Sequence, residues 1–184
     1  MQRSIKAQIA ESNPHVEESV LDELFPKKPP LVQYKAGPHI TLYCRQAPDN
    51  DEDDDDDDIP QKTKGQQPIF FQHRDGPILP TLKFIHAFPD LGWTSVTVDK
   101  GAIPFILGGA AIMCPGLTNP GGDLGTETLE VGRGVIVMAE GKEHAIAVGH
   151  MKLSSEDVKN VNKGVAIETA HFLGDGLFQV DYIY

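Results

Sequence analysis

The stretch "VDKGAIPFILGGAAIMCPGL", Val98 to Leu117, decides how the second half of this chain is read. Ile103, Ile106 and Leu107 are spaced three and four apart, which predicts a short helix with one apolar face. Pro104 puts the start of that helix near Gly101, because the missing N–H then falls in the unpaired first turn. Gly108 and Gly109 predict its stop, since glycine enters the left-handed region without a Cβ clash. Ala110 to Cys114 is an unbroken apolar run of strand length, and Pro115-Gly116 predicts a turn after it.

Toward the C-terminus, "NPGGDLGTETLEVGRG" reads as glycine-rich loop. "GVIVMAE" and "HAIAVGHMKL" predict two strands joined by a hairpin at "EGKE". Ser154 or Ser155 is placed to cap a short polar helix, "SSEDVKNV". "GVAIETAHFL" and "LFQVDYIY" read as closing strands separated by the turn "GDG". Short strands, tight glycine turns and two small helices point to a barrel-like β domain.

Toward the N-terminus, two apolar stripes run from Ile5 to Leu24 and break at Asn13-Pro14. They predict a helix ending near Ser12 and a second starting at Pro14, with Asn13 as its cap, stopped by "FPKKPP". "LVQYK", "HITLYCR" and "QPIFFQHR" read as three strands. Leu79, Leu82, Ile85 and Phe88 predict a short helix after Pro80, which Thr81 caps or begins. "PDLGW" reads as a linker, with a boundary near Leu91 or Gly92.

The chain has 184 residues and a formal net charge of −11. Nine of its 27 acidic residues lie in "DNDEDDDDDD", Asp49 to Asp58. The remainder holds 18 acidic against 16 basic residues, so the rest of the chain is near neutral rather than a basic nucleic-acid coat. With no apolar residue to bury, the tract predicts a disordered insertion over roughly residues 48–66. No apolar run reaches the roughly 18 residues of a membrane span, and the first residues lack a signal core. Cys44 and Cys114 have no CxxC spacing, and the histidines show no HxH or HxxxH ligand spacing. No metal or other cofactor, reduced thiols and a cytoplasmic location are the expectation.

Several polar residues carry two readings each. Lys100 is a phosphate contact or a solvated lysine beside a cap. Lys142 and His144 flank the hairpin, where an ordinary exposed turn is the plainer account. Lys159, Asn162 and Lys163 form a basic edge or merely a charged helix face. His86 falls on an apolar side, as a core histidine does, and Cys114 reads as a buried small hydrophobe. Asp175 in "GDG" needs no catalysis to explain it.

"VDKGAIPFILGGAAIMCPGL" with "EGKEHAIAVGHMKLSSEDVKNVNKGVAIETAHFLGDGLF" resembles a PUA domain. Together with "ELFPKK" and "IFFQHRDGPILPTLKFIH", these segments resemble the malignant-T-cell-amplified-sequence family from about Ile5 to Phe178. The resemblance implies an α+β chain: an N-terminal pre-PUA helix-and-sheet domain over residues 1–91, then a PUA β-pseudobarrel over 92–184. It implies a non-enzymatic translation factor of re-initiation, initiation or recycling. Its expected partners are the small ribosomal subunit, the tRNA acceptor end and a density-regulated-protein homologue. It places the RNA-binding wall at Lys100, Gly101, Gly108, Gly109 and Ala110, with Lys163 opposite, and expects backbone N–H groups of the glycine turn to face phosphate. A protein-interaction adaptor with little RNA affinity and an accessory module of an RNA-modifying system are the competing readings. The wall departs from the resembled pattern at Pro104, Gly108 and Ala111, where lysine, serine and asparagine are usual. The run that precedes the "RSIKAQI" helix in the family is absent, as in a short or trimmed form.

Overall fold

The structure is a computed structural model and describes residues 2–14, 16–26, 31–46 and 65–183. In the first half, α1 (Gln2–Ser12) and α2 (Glu18–Leu24) precede β1 (Val32–Lys35), β2 (Ile40–Gln46), β3 (Gln66–His73) and β4 (Ile78–Pro80). The four strands form an antiparallel sheet in sequential order, followed by α3 (Leu82–Ala87). Phe70 and Phe71 point to opposite faces of β3, one into a cluster with Ile9, Leu21 and Phe25, the other into a cluster with Leu82 and Ile85. Both faces are covered, so "IFF" is a continuous apolar run instead of an alternating one. A β-bulge accommodates the run: Tyr43 opposes Phe70 and Cys44 opposes Pro68, leaving Ile69 as the extra residue.

The second half contains β5 (Ser95–Val98), α4 (Ile103–Leu107), β6 (Ile112–Met113) and α5 (Cys114–Thr118). These are followed by β7 (Gly134–Ala139), β8 (Ala147–Met151), α6 (Ser155–Val161), β9 (Val165–Phe172) and α7 (Gly176–Gln179). The sheet order is β5-β7-β8-β9-β6, with β5 parallel to β7 and the other pairs antiparallel. Val96, Val98, Ile106, Leu117, Val137, Met151 and Ile167 fill its core. A third cluster joins the halves: Leu42, Cys44, Phe71 and Leu79 pack with Ile136, Ala145 and Val148.

Several expectations are corrected. α2 starts at Glu18, not Pro14, because the Asn13 amide closes α1 by donating to Ile9 O at 2.9 Å and to Ile78 O at 3.2 Å. β4 and β5 were not expected; β4 is held by its pairing to β3 and β5 by its parallel pairing to β7. Ala110 to Cys114 is not one strand: only Ile112–Met113 pairs with β9, and Cys114 opens α5, where Pro115 fits the first turn. Four short helices, rather than two, decorate the second half among the described residues. "LFQVDYIY" is not a closing strand. The Asp175 carboxylate accepts from Phe178 N–H at 2.8 Å and starts α7, after which the chain crosses to the first half. There Ile183 and Gln66 exchange backbone hydrogen bonds of 2.8 and 2.9 Å. Gln66 is thus the first residue of β3, not part of the expected loop, and residues 47–64 with the acidic tract lie outside the described residues. The Thr81 cap is present, and of the two candidates Ser154 and Ser155 it is Ser154 that caps α6, each capping side chain accepting from the third residue on, while Ser155 Oγ accepts from Leu129 N–H.

Among the described residues, acidification acts on this fold through three groups whose values are shifted down. Burial pushes the Asp175 carboxyl up, but hydrogen bonds from His171 and the N–H groups of Phe178 and Phe172 outweigh it and hold it low. The Lys152 ammonium, 3.0 Å from Glu168, holds that carboxyl low as well. Burial lowers the His150 imidazole, against the pull of Glu168. All three values are depressed in the folded state, so each contribution is intact above the unfolded value and is lost as pH falls toward the folded one. Thermal melts are expected to start dropping near pH 6.5 and to steepen below about pH 4, with the half-exposed Glu168 contributing least because solvent screens its pair with Lys152. His150→Gln is expected to flatten the upper limb and Asp175→Asn the lower; superimposable melting-versus-pH curves would contradict the assignment.

Candidate functional site

β5 delivers Asp99 to the start of α4, and the side chain organises everything around it. Asp99 Oδ1 accepts from Ala102 N–H at 2.8 Å, Oδ2 accepts from the Asn119 amide at 2.8 Å, and Asp99 N–H donates to Gly116 O at 2.8 Å. α4 and α5 are thereby pulled together, and Gly116 allows it, since a Cβ there would stand 3.2 Å from Ala102 Cβ. Between them, bounded by β6, lies a groove of about 270 Å³ lined by Asp99, Gly101, Ala102, Phe105, Ile106, Ala111, Ile112, Met113, Gly116 and Asn119. Its two polar side chains, Asp99 and Asn119, are engaged with each other, so the surface left for a ligand is apolar.

Phe105 and Met113 define that surface, at 69% and 49% exposure. Sequence reasoning missed both. The signal was available for Phe105: it is out of phase with Ile103 and Ile106, so a helix that buries Ile106 must turn an aromatic ring to solvent. Leu107, expected on the buried face with Ile103 and Ile106, is 41% exposed, because this five-residue helix buries only Ile106.

The six expected contact residues are not all in one place. Gly101 lines the groove. Lys100 stands exposed beside it, its N–H donating to Glu140 Oε2 at 3.2 Å and its ammonium 3.7 Å from Glu140 Oε1. Gly108 ends α4 at φ −89°, while Gly109 takes the left-handed turn at φ +83°. Against expectation, the N–H groups of this turn do not face outward. Gly108 donates to Pro104 and Phe105, Gly109 to Ile106, and Ala110 to Phe105 at 3.0 Å, so all three are satisfied by α4 itself. The Ala110 carbonyl accepts from Thr169 Oγ at 2.9 Å. Lys163 is exposed after the left-handed Asn162, and its carbonyl accepts from Cys114 Sγ at 3.4 Å, which ties it to the α5 side.

Neither cysteine is arranged as a nucleophile: both are buried, Cys44 with its thiol pushed up to about 12 by burial, and burial raises Cys114 too. Among the described residues no group of three His, Cys, Asp or Glu side chains is placed to hold a metal ion, and no helix is long and apolar enough to cross a membrane.

A PUA-domain family profile matches residues 94–173, and a Pre-PUA-like domain profile matches residues 1–48. Translation machinery-associated protein 20 of Schizosaccharomyces pombe is 42% identical over 179 residues, covering 97% of this chain and 87% of that protein. The malignant T-cell-amplified sequence 1 homologue of Drosophila melanogaster is 42% identical over 179 residues, covering 97% and 86%. The rat malignant T-cell-amplified sequence 1 is 39% identical over 178 residues, covering 97% and 85%. A solved structure of a hypothetical protein of Pyrococcus horikoshii superposes at a TM-score of 0.67 with 22% identity, over 97% of this chain and 93% of its own. A conserved PUA domain protein of Thermoplasma acidophilum follows the same fold at 0.59 with 20% identity, over 97% and 95%.

Proposed function

Because the chain belongs to the malignant T-cell-amplified sequence family, we propose that it is a non-enzymatic translation factor of the small ribosomal subunit. Its role is in re-initiation, initiation or recycling, in the cytoplasm, with a density-regulated-protein homologue as partner. Its second half receives the acceptor end of a tRNA along the wall of α4, where Lys100, Gly101, Gly108, Gly109 and Ala110 lie, with Lys163 beyond α5. The single observation that carries this reading is the exposed Phe105 ring beside an apolar groove. An unpaired RNA end presents unstacked bases, and a free aromatic face recognises them by stacking.

The wall decides which term dominates. No lysine or arginine lines the groove, and Lys100 is shared with Glu140, so phosphate contacts are limited to about two. For a single strand that corresponds to a slope of log K against log salt of about −1.4. Binding of the chain to small subunits carrying deacylated tRNA, with and without the partner, tests the reading. Phe105→Ala is expected to weaken binding by about 5- to 150-fold, the 1–3 kcal/mol of one stacked base. Lys100→Glu is expected to weaken it less and to flatten the salt slope. Unchanged binding in both variants removes the groove from the RNA interface and leaves the adaptor reading. That second reading is favoured by the mutual engagement of Asp99 and Asn119 and by the apolar Pro104 and Ala111. Gly109 is a poor test position, because a side chain there would stand 3.1 Å from the Phe172 ring on a left-handed backbone.

A further inference from the structure

A cavity on other elements, at the seam of the two halves, has chemistry unlike that of the groove. α3 and the segment from Pro89 to Ser95 face β7 and the hairpin at Glu143–Ala145 across a space of about 180 Å³. That is about six waters' worth of volume and below the ~300 Å³ at which small-molecule pockets begin, so it matches one side chain, not a nucleotide.

Two of its aromatic walls are held by hydrogen bonds. The Trp93 indole donates to Phe88 O at 2.9 Å and meets the Phe84 ring edge-on at 6.0 Å. The His86 ring is anchored by a 2.8 Å hydrogen bond between Nε2 and Ala145 O, and the His144 ring lies 5.2 Å from it, tilted by 48°. Met138 adds a pliable apolar surface. The charged group of the lining is Glu143, exposed, with no hydrogen bond or ion pair among the described residues. Three aromatic rings and one unengaged carboxylate, with no lysine or arginine in the lining, complement a cation on an apolar stem. An anion is disfavoured by Glu143, and so is a nucleobase carrying its phosphate.

We propose that this cavity docks a basic side chain of a protein partner, arginine in preference to lysine, because a planar guanidinium stacks on these rings while pairing with Glu143. The site is independent of the RNA reading of the groove. Trp93 is the sole tryptophan, so its fluorescence reports occupancy directly. The full chain is titrated with acetyl-Ala-Arg-Ala-amide, with the same peptide carrying citrulline, which is isosteric but uncharged, and with AMP. A saturable change is expected with the arginine peptide, weaker with its lysine counterpart, and little with citrulline or AMP. Glu143→Gln is expected to raise the dissociation constant about fivefold, and His144→Ala to raise it further by removing a stacking face. Both residues are exposed, so unchanged melting temperatures separate lost binding from lost folding. An equal response to citrulline, tighter binding of AMP, no effect of Glu143→Gln, or no saturable response to any probe would each overturn the proposal.

Discussion

Phe70→Ala is expected to lower the unfolding free energy by about 3–5 kcal/mol, read from urea denaturation followed by Trp93 fluorescence. The ring is fully buried and touches three others, Phe25 at 5.8 Å, Phe84 at 5.4 Å and Trp93 at 6.4 Å between centroids. Those partners come from the end of α2, from α3 and from the link between the halves, so the cavity left by truncation is walled by elements that hold one another in place. Such a site collapses poorly, which puts the cost at the upper end for an aromatic truncation. Against a total stability of about 5–15 kcal/mol for a typical protein, the loss is a large fraction. A loss below about 1 kcal/mol would mean that the cluster refills the space and does not act as the keystone of the first half.

Gly149→Ala is expected to cost about 3 kcal/mol or more, although it adds a single methyl group. Its backbone is not in the left-handed region, so the penalty is steric and not conformational. A Cβ at this position falls on the Glu168 carbonyl oxygen and stands 2.8 Å from Ile167 Cγ2. The obstacle is the backbone of β9, at the bulge where the β8–β9 register shifts between Val148 and Gly149, so nothing can move without opening the ladder. Gly176→Ala is the matched control: a Cβ there meets nothing within 4 Å, and a change within about 0.5 kcal/mol is expected. Equal effects at the two positions, in thermal or urea unfolding, would refute the steric account.

These two residues show how differently the parts of the fold were legible. "QPIFFQHR" announces a strand through its aromatic content, yet nothing local says that both faces of that strand are covered, and the bulge at Ile69 exists only through its partner β2. β5 and β4 are short and acquire strand character from β7 and β3. In the candidate site, the helix around Ile106 and its glycine stop followed from spacing and from the absence of a Cβ. The outward Phe105 was legible from the same spacing, which leaves it off the apolar face, and it was missed because only that face was read; Leu107 was misplaced because the face was drawn too wide. The Asp99–Asn119 pair was not legible, since the residues are separated by two helices and a strand that bring them together only when folded. The satisfied N–H groups at Gly108, Gly109 and Ala110 follow from the tight end of α4, which no residue type specifies.

By itself the sequence determined the properties that depend on neighbours along the chain: helix starts at Thr81 and at Ser154-Ser155, the left-handed turn at Gly109, and the hairpin between β7 and β8. Capping, φ preference and short apolar runs broken by a glycine turn act over a few residues and are written in a few letters. Only the tertiary structure decided which side of each element is covered and which polar groups are already engaged. It alone sends the C-terminal residues back to Gln66, and it alone encloses Trp93, His86 and Glu143 in one cavity. Those outcomes rest on contacts between residues far apart in the chain, whose energy exists only once the core has brought them together.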